Sequence, residues 1–95
     1  MDGDVRTVRV RIEGCVQGVG YRYWTERTAI ELDLSGWVRN LRDGSVEALF
    51  SGAPAKVDAM IEHCRQGPRS AVVSTVVVEE VASVPPAGFT ALPTR

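Results

Sequence analysis

The chain has 95 residues, 44% of them hydrophobic and 24% charged, with a formal net charge of -1. That length and mix imply one soluble domain over residues 1–95, with a single modest core over about 5–93. The charge balance holds no basic excess for nucleic acid and no acidic block of a disordered tail.

The N-terminal stretch MDGDVRTVRV lacks the apolar segment of a secretory signal. No apolar run approaches the roughly 20 residues that span a bilayer, so no membrane partner is expected. Cys15 and Cys64 are too few and too far apart for a disulfide framework or a zinc site. Two reduced thiols in the cytoplasm, in a monomer, are the expectation, with a single disulfide left open.

From Val8 to Glu13 apolar and charged residues alternate, the pattern of a strand with one packed and one wet face. The glycine-rich stretch GCVQGVGYR, residues 14–22, follows. Tyr21, Trp24, Thr28 and Leu32 then recur at helical spacing, predicting a first helix that ends at Asp33, a residue tolerant of a left-handed turn. Leu34–Leu41 and Ser45–Phe50 read as strands joined by a hairpin through Asp43-Gly44. Pro54 opens a second helix with a stripe of Val57, Met60, Ile61 and Cys64, closed by Gly67-Pro68. Thr75–Val84 carries valines on both faces and reads as a strand that is well covered or near the middle of a pairing. Phe89–Leu92 adds a short last strand before Pro93. The order predicts an α+β, ferredoxin-like βαββαβ sandwich: an antiparallel sheet of four to five strands with two helices on one face.

Two residues break local rules. Arg22 falls in the first turn of the first helix, where the backbone already carries partial positive charge and an acidic residue is preferred. Either the side chain swings into water, or an anion sits between guanidinium and amides. Gly14, Gly18 and Gly20 let successive N–H groups converge as an anion nest. Known phosphate signatures are nonetheless absent, since no Gly-Lys-Ser/Thr and no GxGxxG occurs. Asn40 is a poor strand former near the end of the second strand. It belongs to the hairpin turn, or its amide orients a water molecule.

GCVQGVGYR followed by LDLSGWVRNLRDGSVE resembles the acylphosphatase pattern G-x-V-Q-G-V-x-F/Y-R … G-W-V-x-N-x-x-D-G-x-V-E. The two motifs cover residues 14–47. Asp33 stands where a glycine is common, and Tyr21 where phenylalanine is more usual. The resemblance implies hydrolysis of a small-molecule acyl phosphate to a carboxylate and inorganic phosphate, without metal or cofactor. Arg22 and the backbone amides of Cys15, Val16, Gln17, Gly18, Val19, Gly20 and Tyr21 are then expected to hold the phosphoryl oxygens. Asn40 is expected to position the attacking water.

Cys-x5-Arg loops form cysteinyl-phosphate intermediates in tyrosine phosphatases, but Cys15 and Arg22 are spaced Cys-x6-Arg. An RNA-recognition sheet needs stacking aromatics, and the strand VRVRIEG has none. A metal-carrier domain of this layout needs a CxxC loop, which is missing. His63, the one histidine, is expected to be solvated or to cap the second helix. Trp24 and Trp37 fit packing positions or, as the alternative, put an aromatic at the rim of the site. Arg39 and Arg42 either raise the potential beside Asn40 or simply wet the hairpin.

Overall fold

The computed structural model describes residues 4–95. Its elements are β1 (Arg6–Cys15), α1 (Tyr21–Glu31), β2 (Ser35–Asn40), β3 (Val46–Gly52), α2 (Pro54–Gln66), β4 (Val72–Glu80) and β5 (Phe89–Ala91). This is the ferredoxin-like βαββαβ order with one strand added. The strands form one sheet in the order β4–β1–β3–β2–β5.

The first four strands pair antiparallel, as expected, but β5 runs parallel to β2 along Gly36–Val38. The chain path explains the direction. β4 finishes at the end of the sheet where β2 begins, and residues 81–88 cross to the far edge before β5 starts.

Val8, Val10 and Ile12 on β1 join Val38, Val46, Ala48 and Phe50 in a fully buried layer facing the helices. The valine, isoleucine and phenylalanine side chains of this layer each contribute on the order of 1.5–3 kcal/mol. α2 covers β1, β3 and β4, and α1 covers β2 and β5. α2 follows its sequence reading closely, with Pro54 in the first turn, Val57, Met60, Ile61 and Cys64 buried, and Gly67 at its C-cap.

Two expectations are corrected. The fully buried row of α1 is Tyr21, Thr25 and Ala29, with Trp24, Thr28 and Leu32 only half-buried beside it. Small residues at 25 and 29 let the helix sit close to the sheet, and the large ring of Trp24 packs sideways, 5.2 Å from the Tyr21 ring centroid. β4 is an edge strand rather than a well-covered one, and it runs from Val72 to Glu80 rather than from Thr75 to Val84. A register shift opposite Glu13 and Gly14 resets its alternation, so Val73, Val76 and Val78 pack inward while Val72 and Val77 are exposed. Its last backbone bond is Val81 N–H to the Thr7 carbonyl, where β1 runs out.

β1 and β2 both run antiparallel to β3, which lies between them. Their C-terminal ends, Cys15 and Asn40, therefore fall at the same end of the sheet. The topology alone brings the glycine loop and Asn40 together.

Candidate active site

The loop between β1 and α1 is pinned from below and open above. Val16 is buried in the core and Val19 packs against it. Gly18 (φ 74°) and Gly20 (φ 80°) take the left-handed conformation that side-chain-bearing residues resist. Gly20 is the N-cap of α1, so no side chain caps the helix, and its first turn holds no acidic residue. The free N–H groups and positive dipole end of α1 thus face the loop without a protein anion.

A cavity of about 220 Å³ opens there, lined by Val16, Gly18, Gly20, Tyr21 and Arg22 from the loop and helix start, by Tyr23, and by Asn40 across from them. Arg22 does not swing out into water. Its Nη1 donates to the Leu92 carbonyl at 2.8 Å, in the segment after β5. Among the described residues Arg22 has no carboxylate within ion-pair distance, whereas Arg6 and Arg11 each have two and Arg9 and Arg39 each have one. A partly buried guanidinium beside a helix N-terminus, with no carboxylate partner among the described residues, has the donors and charge to hold an anion.

Asn40 is the last residue of β2, paired with Val46, and not a turn residue. Strand alternation puts its side chain on the helix-facing side with Val38. Its backbone carbonyl accepts from Arg95 N–H at 3.0 Å, and Arg42 N–H donates to the Arg95 carbonyl at 3.1 Å. The segment after β5 thus runs past both Arg22 and Asn40.

Cys15, Gln17 and Val19 do not line the cavity. Cys15 is the exposed end of β1, opposite Val72. Gln17 turns its side chain the other way, donating Nε2 to the carbonyls of Leu41 at 2.6 Å and Ser45 at 2.8 Å. That role escaped the sequence reading; the signal was a lone long polar side chain in a loop otherwise made of glycine and valine.

Tyr21 buries its ring and donates its hydroxyl to the Cys64 carbonyl at 2.8 Å. That carbonyl is in the last turn of α2, where helix carbonyls lack helical partners. Burial, then the nearby Cys64, raises the Tyr21 pKa well above the usual phenol range. Burial likewise pushes the Cys64 thiol up to about 12. Neither group supplies a base or nucleophile near neutrality. His63 is exposed on α2. Arg39 lies on the helix-free face of the sheet, bonded to Glu47 at 2.9 Å and stacked on Trp37 at 4.5 Å. Among the described residues, no three His, Cys, Asp or Glu side chains gather into a metal-holding group, and no helix is long and apolar enough to cross a membrane.

The profile of the acylphosphatase family matches residues 8–91. The chain belongs to the acylphosphatase family. Among its relatives, the acylphosphatase of Mesorhizobium japonicum is 58% identical over 81 residues, covering 85% of this chain and 86% of that one. The acylphosphatase of Rhodospirillum rubrum is 53% identical over 89 residues, covering 94% and 98%. The structure of an acylphosphatase from Coxiella burnetii superposes with a TM-score of 0.90 at 34% identity, covering 94% of each chain. Within this acylphosphatase the two sequence motifs meet at one cavity: the first supplies its loop and Arg22, the second supplies Asn40.

Proposed function

We propose that this acylphosphatase hydrolyses acyl phosphates, with Arg22 and the loop amides holding the phosphoryl group and Asn40 orienting the attacking water. The observation that carries the reading is Arg22 lining one cavity with the uncapped start of α1 and with Asn40, while lacking a carboxylate among the described residues. The non-bridging oxygens of a phosphoryl group match converging N–H donors and a forked guanidinium.

The chemistry asks little more of the protein. Water oxygen bonds to phosphorus as the bond from phosphorus to the acyl oxygen breaks, and the electron pair of that bond leaves on a carboxylate. The water proton passes to a phosphoryl oxygen, giving dihydrogen phosphate. A carboxylate leaves without a strong general acid, so positioning and charge stabilisation are the remaining tasks. Proton acceptance by the substrate itself fits a cavity lined by no Asp, Glu or His side chain among the described residues. The same reading is of a cytoplasmic, monomeric enzyme that needs no metal; the two free cysteines fit a reducing compartment.

The test is hydrolysis of benzoyl phosphate in the presence of EDTA. Wild type turns over, Arg22→Ala and Asn40→Ala lose roughly a hundredfold or more in kcat, and Cys15→Ser retains activity. Turnover that survives in Arg22→Ala refutes the phosphate grip. Loss in Cys15→Ser alone replaces this mechanism with a covalent one, and loss of wild-type activity in EDTA refutes metal independence.

A further inference from the structure

We propose that Tyr23 seats the acyl group of the substrate and biases the enzyme towards acyl phosphates with a flat, aromatic acyl portion. This rests on the reading of Arg22 and Asn40 given above. Tyr23 lines the same cavity as those two residues, yet it is 65% exposed, the one exposed aromatic among the large hydrophobics of the described residues. The other apolar side chains of the cavity, Val16 and Tyr21, are each 1% exposed and belong to the core. Tyr23 is therefore the one residue lining the cavity whose apolar side chain is largely accessible.

The chemistry decides what meets that surface. Once Arg22 and the amides hold the non-bridging oxygens, the bond to the acyl oxygen points away from the water in an in-line displacement. With the water at Asn40 on β2, the acyl group leaves along the other wall, which α1 builds with Arg22 and Tyr23. Arg27, one helical turn on, places its Cζ 5.7 Å from the Tyr23 ring centroid. The guanidinium restrains the ring and adds positive charge beside an acyl group that departs as an anion. A planar acyl group stacks on such a ring; a methyl group covers little of it.

The test compares kcat/KM for benzoyl phosphate and acetyl phosphate in wild type, Tyr23→Ala and Tyr23→Phe. Tyr23→Ala lowers the benzoyl phosphate value roughly three- to tenfold more than the acetyl phosphate value, chiefly through KM. Tyr23→Phe, which keeps the ring, preserves the wild-type ratio. Urea melts of the three proteins are the control for folding. Equal losses on both substrates, no loss on either, or a Tyr23→Phe ratio matching Tyr23→Ala overturns the proposal. Arg22→Ala run alongside separates the two readings: full acetyl phosphate turnover there breaks the underlying mechanism, whereas an inactive Arg22→Ala with an unchanged Tyr23→Ala ratio breaks only the acyl seat.

Discussion

Gln17 and Ser45 are joined by a 2.8 Å hydrogen bond from side-chain Nε2 to backbone carbonyl, and the same Nε2 reaches the Leu41 carbonyl at 2.6 Å. Leu41 and Ser45 are the two legs of the β2–β3 hairpin, themselves bonded from Leu41 N–H to the Ser45 carbonyl at 2.8 Å. Asn40 is the residue before Leu41. One amide group thus locks the loop that leads to Arg22 against the hairpin that carries Asn40, although Gln17 does not line the cavity. Gln17→Leu is expected to cost about 1–2 kcal/mol of stability. It is also expected to lower kcat roughly ten- to a hundredfold by misplacing the two groups. Gln17→Glu, which sets a carboxylate against two carbonyl oxygens, is expected to be worse. Urea unfolding and steady-state kinetics read both effects, and an active Gln17→Glu rules out the lock.

The Tyr21 hydroxyl satisfies an end carbonyl of α2 rather than any group of the cavity. Tyr21→Phe is accordingly expected to lose about 1 kcal/mol of stability while keeping kcat within about twofold, because the ring remains. Parallel urea melts and activity assays check this. A large drop in kcat at unchanged stability would mean that the hydroxyl acts in the chemistry.

Thr25 is fully buried in α1, and its Oγ1 has no hydrogen-bond partner among the described residues. A hydroxyl hidden from water and left unbonded costs free energy that an isosteric methyl does not. Thr25→Val is therefore expected to raise stability by up to about 1 kcal/mol, seen as a higher Tm. A lower Tm shows that the hydroxyl is bonded in solution.

Arg6 bonds Glu80 at 2.7 Å and also pairs with Asp58. The Arg6 hydrogen bond holds the Glu80 carboxyl below its ordinary value of 4.5. The unfolded chain therefore takes up this proton at higher pH than the folded chain does. The stabilisation is complete above 4.5 and fades as pH falls through that value towards the lower folded pKa. Glu80→Gln is expected to lower the urea midpoint at about pH 6 and to match wild type at about pH 2. A gap of equal size at both pH values assigns the effect to packing instead.

Periodicity was enough to read β1 and α2, because each has one clearly packed face and α2 has Pro54 and Gly67 as punctuation. Asp33 was also legible, and it takes the left-handed turn with φ 59°. β4 was misread because its valines occur on both faces, a pattern shared by a covered strand and by an edge strand whose register shifts midway. In α1, apolar spacing pointed to Trp24, while Thr25 and Ala29 were buried because the helix lies close to the sheet. Arg22 and Asn40 stood out as local misfits, Arg22 a cation at a helix start and Asn40 an amide in a strand. The Leu92 carbonyl that steadies Arg22, the two carbonyls held by Gln17, and the accessible ring of Tyr23 carried no local signal. Each depends on contacts between distant segments or on what the fold leaves uncovered.

The bare start of α1 reaches beyond catalysis. An anion seated there binds the folded chain and not the unfolded one, so each tenfold excess over its dissociation constant adds about 1.4 kcal/mol to the folded state. Gly20 supplies no side chain that could stand in for it. On the proposed reading, added inorganic phosphate is expected to raise the Tm of wild type more than that of Arg22→Ala.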